Sequence, residues 1–301
     1  MFSYRHAFHA GNHADVFKHT VLIAVLDHLL QKQTALTVLD THAGAGLYRL
    51  DGDFASTSGE AAEGVLRLLN VLKGGAEPVP AIARYLEVLR AFNSKGRVRV
   101  YPGSPFIAHH LLRAQDRIKL CELHPTDWRA LNANIEQLEA GRRIAVSCED
   151  GFACAAPLLP PPSRRALVLC DPSYEIKTDY ARTGAFIAQA LARFATGVYM
   201  VWYPVIARPE AHALPRRLRT LATQAGKPWL HATLTVKSSK QRSPALDPSG
   251  AERRPGLTAS GVFIINPPYI LREQMAAALP QLTHWLGQDR HAAFSLESSV
   301  G

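Results

Sequence analysis

Two short motifs in this chain carry residue types that can do chemistry, and each closes an apolar run. Asp40-Thr41-His42-Ala43-Gly44-Ala45-Gly46 follows Ala35-Leu36-Thr37-Val38-Leu39, and Asp171-Pro172-Ser173-Tyr174 follows Ala166-Leu167-Val168-Leu169-Cys170. In open α/β sheets, ligands bind at the carboxyl ends of strands. Gly44 and Gly46 let the backbone turn sharply and approach a nucleotide-like cofactor without a Cβ in the way. The second motif suits a planar base with an amino group. An adenine amino group is a poor nucleophile, because its lone pair is delocalised into the ring. The Asp171 carboxylate and the Pro172 carbonyl, whose direction proline fixes, can accept from the two amino protons and aim the lone pair. Tyr174 can stack on a base that has left its helix. Transfer is then an in-line displacement driven by positioning and electrostatics, with no metal and no covalent enzyme intermediate. The pair of motifs points to a methyltransferase acting on adenine.

Two further acids end apolar runs. Glu122 follows Ile118-Lys119-Leu120-Cys121 and suits ribose hydroxyls. Asp150-Gly151-Phe152 follows the 143–148 run and suits an exocyclic amine or the adenine of a cofactor. Asp40, Glu122 and Asp150 would line one sheet edge together, although each could instead cap the helix that follows it. Arg49 stands where a third glycine would complete a dinucleotide fingerprint, and no P-loop pattern occurs. A competing motif, Asn266-Pro267-Pro268-Tyr269, follows Val262-Phe263-Ile264-Ile265 and is itself an amino-methyltransferase signature. Strand order favours Asp171, because its strand comes next after that of Asp150, whereas Asn266 comes three strands later.

The elements that must position these residues follow from periodicity. Residues 12–32 read as an amphipathic helix with Val16, Phe17, Val21, Leu22, Val25, Leu29 and Leu30 on one face. Strand-like runs lie at 35–40, 117–122, 143–148, 165–170, 198–203, 231–237 and 261–266, with helix-length segments at 125–140, 178–195 and 207–225. This alternation predicts an α/β fold with a mostly parallel, doubly wound sheet, its last two strands forming an antiparallel end pair. The segment 52–98 breaks the alternation with helical patterns at 61–72 and 82–92, which we read as a small helical insertion in a single domain spanning residues 1–301. The polar, basic stretch 238–256 reads as a long functional loop.

The chain has 301 residues, 47% of them hydrophobic and 20% charged, with a formal net charge of +9. That balance suits a globular protein with a polyanionic partner such as nucleic acid. The four cysteines form no Cys-x-x-Cys pair and no disulfide framework, as in a reducing compartment. His9 and His13 have the spacing of a metal pair on a helix, but no third ligand is apparent, and we expect no metal. There is no signal-peptide layout, and the greasiest run is too short to span a bilayer, so we expect a cytoplasmic protein without membrane association. The basic pairs Arg142-Arg143, Arg164-Arg165, Arg216-Arg217 and Arg253-Arg254, with Lys237 and Lys240, are candidate phosphate contacts. Of these, Lys237, Lys240, Arg253 and Arg254 in the long loop are favoured for RNA.

Longer motifs add a resemblance. Tyr4-Arg5-His6-Ala7-Phe8-His9-Ala10-Gly11-Asn12-His13-Ala14-Asp15-Val16-Phe17-Lys18-His19, the glycine motif, Tyr101-Pro102-Gly103-Ser104-Pro105, Glu122-Leu123-His124-Pro125, Trp202-Tyr203-Pro204 and Leu257-Thr258-Ala259-Ser260-Gly261 occur together. In these the chain closely resembles the RlmJ family of 23S ribosomal RNA adenine-N6 methyltransferases, from residue 1 to about residue 285. The resemblance implies a Rossmann-like class I methyltransferase fold with a small helical subdomain, S-adenosylmethionine as cofactor and 23S ribosomal RNA as partner. It implies cofactor contacts at Lys18, His19, His42, Ser104, Glu122, Asp150 and Gly151, to which Asp40 and Gly44 of the glycine motif are added. It makes Asp171 the catalytic acceptor, and it brings Tyr4, His6 and Lys18 to the target adenine. The family carries Asn-Pro-Pro plus an aromatic near its carboxyl end as well, without using it for catalysis. One departure is Ser173, where the family has proline; the serine frees φ and adds an N–H, so we expect a looser site.

Other activities share these motifs. A DNA adenine methyltransferase has the same chemistry with duplex DNA as its substrate. A protein glutamine methyltransferase is suggested by Asn266-Pro267-Pro268-Tyr269. A cofactor- and RNA-binding protein with little catalysis is suggested by Ser173. No hydrophobic seam demands a dimer, and we expect a monomer with no obligate protein partner.

Overall fold

A computed structural model describes residues 9–50, 60–94, 97–239 and 256–299. Its frame is an eight-stranded sheet. In chain order the strands are β1 (Thr37–Asp40), β4 (Arg117–Cys121), β5 (Ile144–Ser147), β6 (Ala166–Cys170), β7 (Val198–Pro204), β8 (Trp229–Thr235), β9 (Ala259–Ile265) and β10 (Ala293–Ser298). The spatial order is β10-β8-β9-β7-β6-β1-β4-β5. The run β5, β4, β1, β6, β7 is parallel throughout, so the carboxyl ends of these strands share one edge. β9 then runs antiparallel to both β7 and β8, and β10 runs antiparallel to β8.

The central parallel strands β1 and β6 are apolar and buried throughout because both of their faces are covered, whereas β4 and β5 towards the edge are only partly so. Alternate side chains serve opposite cores: Val38, Leu167 and Leu169 pack on one side, and Leu39, Val168 and Cys170 on the other. The first core is closed by α1 (His13–Leu29), α3 (Pro80–Ala91), α4 (Ser104–Leu111) and α9 (Leu271–Leu286). The second is closed by α7 (Thr178–Arg193) and α8 (Pro209–Gln224). The short helices α2 (Val65–Lys73) and α6 (Gly151–Ala155), with α5 (Pro125–Glu136), complete the layers.

Two expectations need correction, and two features go beyond what was expected. α1 is not half-exposed: every residue from His13 to Leu26 is buried, because α3, α4, α9 and β9 surround it. The antiparallel pair expected at one end of the sheet is β8 with β9, and β10, with three of its six residues exposed and no clear alternation, adds an edge strand beyond it. Two three-residue strands, β2 (Leu47–Arg49) and β3 (Val100–Pro102), pair antiparallel at the base of the segment holding α2 and α3. They are too short to show a period in sequence. The arginines Arg143 and Arg165 do not point outward as phosphate contacts, because each donates to backbone carbonyls, Leu112 for the first and Thr34 and Leu29 for the second. Among the described residues no helix is long and apolar enough to cross a membrane.

Candidate active site

The shared carboxyl edge opens into a cavity of about 430 Å³, within the usual range for small-molecule sites. Its wall is built strand by strand. The loop after β1 brings His42, Ala43 and Gly44; β4 brings Glu122; β5 leads to Asp150 and Gly151; β6 brings Asp171, Pro172 and Ser173; β7 brings Trp202 and Pro204. α1 closes one side with Asp15, Lys18 and His19, and Ser104 enters from the start of α4.

The glycine loop is held tightly. Gly44 and Gly46 have φ of +62° and +79°, a left-handed conformation that glycine takes without strain. A Cβ on Gly151 would stand 1.8 Å from the Thr41 carbonyl oxygen, so the start of α6 packs directly on the backbone that leaves β1. The Glu122 carboxylate spans two loops: one oxygen accepts from the Gly44 N–H at 2.8 Å, the other from the His124 N–H at 2.7 Å. Burial raises its pKa.

Asp150 has two occupations. It caps α6 by accepting from the N–H groups of Phe152 and Ala153, and it pairs with Arg182, whose guanidinium lies 4.6 Å from the Phe152 ring centre. Burial opposes its ionisation, but Arg182 and these amides prevail and lower its pKa. The His42 ring bonds Thr41 through Nδ1 at 2.7 Å and meets Phe152 edge-on. Burial depresses its pKa to about 4, so it is neutral at pH 7. His19 bonds the Tyr101 hydroxyl at 2.9 Å and stacks against that ring.

Asp40 does not reach the cavity. It lies beneath the loop, 2% exposed, accepting from the Ser104 hydroxyl at 2.6 Å and the His42 N–H at 3.2 Å. Its expected direct contact with a cofactor therefore gives way to a support role, and burial raises its pKa to about 6.

Asp171 meets α1 across the cavity. Lys18 Nζ donates to Asp171 Oδ2 at 2.5 Å and pairs with Asp15 Oδ1 at 3.0 Å. Burial works against the ammonium, yet the two carboxylates outweigh it and raise its pKa. Asp15 also accepts from the Gly11 N–H, and Asn12 caps the helix by accepting from the Asp15 N–H. Sequence reading missed Asp15, though its i, i+3 spacing to Lys18 on a helix was a usable signal.

Tyr174 departs from its expected role on the base. Its φ is +55°, its ring is buried against Tyr180, and its hydroxyl donates to the Trp202 carbonyl at 2.8 Å. Trp202 lines the cavity instead, with Lys18 Nζ 5.6 Å from its ring centre. Glu60, also unread in the sequence, lines the rim and accepts from Asn12 and His9, each at 3.0 Å. The Lys237 ammonium lies close to Gly256, which lines that rim. Tyr4, His6, Lys240, Arg253 and Arg254 lie outside the described residues.

The rival motif is at the opposite edge. β9 is antiparallel to β7, so its carboxyl end emerges where β7 begins. There Asn266 donates to the carbonyls of Ala195 and Gly197 at 3.0 and 2.7 Å. Strand direction, rather than the strand order argued from sequence, removes it from the cavity.

Comparisons with known proteins agree with this architecture. A family model described as ribosomal RNA large subunit methyltransferase D, RlmJ, matches residues 33–297. Ribosomal RNA large subunit methyltransferase J of Escherichia coli (strain K12) is 42% identical over 283 residues, covering 94% of this chain and 93% of that protein. Its counterpart in Haemophilus influenzae is 40% identical, covering 99% and 98%. A crystal structure of a Legionella pneumophila protein superposes with a TM-score of 0.82 at 32% identity, covering 96% of this chain and 98% of that one. With its parallel-edge cavity, its glycine loop and this full-length similarity, the chain belongs to the RlmJ family of large-subunit ribosomal RNA methyltransferases.

Proposed function

We propose that the protein transfers a methyl group from S-adenosylmethionine to the N6 amino group of one adenine in 23S ribosomal RNA, with Asp171 as the acceptor that orients that amine. The observation that carries the reading is the Lys18–Asp171 pair at the end of β6, in the same cavity as Glu122.

The residues present fit the cofactor. Glu122 is fixed by two backbone amides, and each of its oxygens keeps a second lone pair for a ribose hydroxyl. The missing Cβ of Gly151 lets the start of α6 sit directly on the Thr41 backbone beside the glycine loop, which is the close approach a nucleoside needs. When bound, S-adenosylmethionine supplies an electrophilic methyl group on a sulfonium.

The chain's own groups do the rest. Lys18 holds Asp171 in one orientation and balances its charge in a partly buried wall. Asp171 and the Pro172 carbonyl accept from the N6 protons and aim the lone pair along the transfer axis. The surplus N6 proton leaves by way of the Asp171 carboxylate. Trp202 offers the ring that Tyr174 withholds, and Lys237, close to the lining residue Gly256, supports a phosphate contact there. On this reading one chain acts alone, in the cytoplasm.

The test is methyl transfer to unmodified 23S ribosomal RNA, read as N6-methyladenosine by nucleoside mass spectrometry, beside an Asp171→Ala variant and duplex DNA. Product that depends on Asp171 and on RNA is expected. Undiminished product in the variant would overturn the catalytic assignment.

A further inference from the structure

Among the described residues, four large apolar side chains stand exposed: Ile176 at 61%, Leu123 at 42%, Tyr269 at 82% and Phe294 at 43%. Tyr269 belongs to the opposite edge and Phe294 to the edge strand β10. Ile176 and Leu123 both line the cavity mouth. Leu123 follows Glu122 on the side assigned to the cofactor. Ile176 lies on the loop that leaves Asp171, on the side where a base must enter.

That loop is held, not slack. Tyr174 is anchored inward through its hydroxyl bond to Trp202 and its contact with Tyr180. Two residues later the Ile176 carbonyl accepts from the Asp179 N–H at 3.0 Å, tying the loop to the first turn of α7. Ile176 is thus an exposed aliphatic side chain on an anchored loop, lining the same cavity as the acceptor carboxylate, and exposed Lys177 follows it. Burying such a side chain is favourable, and among the described residues it stays 61% exposed.

We propose that Ile176 is a wedge: it enters the base stack at the position the target adenine leaves, while Lys177 meets the adjacent phosphate. Apolar side chains inserted between bases unstack them and fill the gap. Extrusion is required before a base in a helix can reach Asp171. The inference rests on the assignment of Asp171 above and adds a positioning residue to it.

The test uses the RNA segment that the intact protein methylates, in two forms. One is a hairpin that stacks the target adenine, with 2-aminopurine as its neighbour; the other is an unstructured strand with the same flanking bases. Ile176→Ala should lower kcat/KM on the hairpin by about tenfold, as expected for losing one buried aliphatic contact, and leave the single strand within about twofold. The rise in 2-aminopurine fluorescence on binding, with S-adenosylhomocysteine present, should fall with it, and Ile176→Leu should restore both. Equal losses on the two RNAs, or no loss on either, would overturn the wedge. Asp171→Asn is run in parallel: turnover at the intact rate would reject the catalytic reading itself, whatever Ile176 does.

Discussion

Lys18 Nζ stands 2.5 Å from Asp171 Oδ2 and 3.0 Å from Asp15 Oδ1, so one buried cation joins the first helix to the end of the sixth strand. Removing the cation leaves two carboxylates in a partly dry wall. Lys18→Met should therefore destabilise the fold by about 3–5 kcal/mol, whereas Asp171→Asn, which leaves Asp15 to pair with Lys18, should cost much less. Urea unfolding of both variants checks this, and equal midpoints would refute it. In turnover, Asp171→Asn should lose about 10²–10³-fold in kcat.

Asp40 makes stability depend on pH in a definite direction. Its pKa rises from 3.8 to about 6 on folding, mainly through burial. Between those values the folded state binds more protons, so stability falls as pH rises, and the loss is complete above about pH 6. Asp40→Asn should remove on the order of 2–3 kcal/mol of that dependence. Unfolding curves at pH 4 and pH 6.5 give the comparison; parallel behaviour of the two proteins would count against it.

Gly151→Ala puts a methyl group where the Thr41 carbonyl oxygen already stands. Separating the α6 start from the β1 end should destabilise by about 1–3 kcal/mol and weaken binding of S-adenosylhomocysteine in calorimetry. Wild-type affinity and stability together would show that the contact has slack.

Asn266 offers the converse experiment. Its φ of +56° and its two bonds to the turn before β7 are structural. Asn266→Ala should cost about 1–3 kcal/mol in stability with kcat unchanged below the melting range. A large drop in kcat at full folding would return this motif to the catalytic debate.

Ser173 lies exposed on the cavity wall between Pro172 and the inward-turned Tyr174. Ser173→Pro should stiffen the loop through the unfolded chain's entropy, adding about 0.4–1 kcal/mol of stability. A modest rise in kcat with unchanged cofactor affinity is expected. A fall in both would mean that the serine N–H or its φ is needed.

Much of the frame was legible because the covered central strands β1 and β6 leave continuous apolar runs, and the strands β1, β4, β5 and β6 each stop at or just before an acid. What stayed hidden depends on contacts between distant residues. Asp40 looks like a ligand until Ser104, far along the chain, is seen to occupy it. Tyr174 looks available until its positive φ turns it inward. Asn266-Pro267-Pro268-Tyr269 looks equivalent to Asp171-Pro172-Ser173-Tyr174 because a sequence does not state which way a strand points. α1 looked amphipathic because its apolar stripe was read alone, without the three helices and the strand that cover its other faces.

That burial has a consequence during synthesis. α1 leaves the ribosome early, yet its covering partners include β9 and α9, which are made more than two hundred residues later. At about 5–20 residues per second, a helix that the finished fold buries on every side waits many seconds for them. The last helix, made at the far end of the chain, therefore decides when the first can be sheltered.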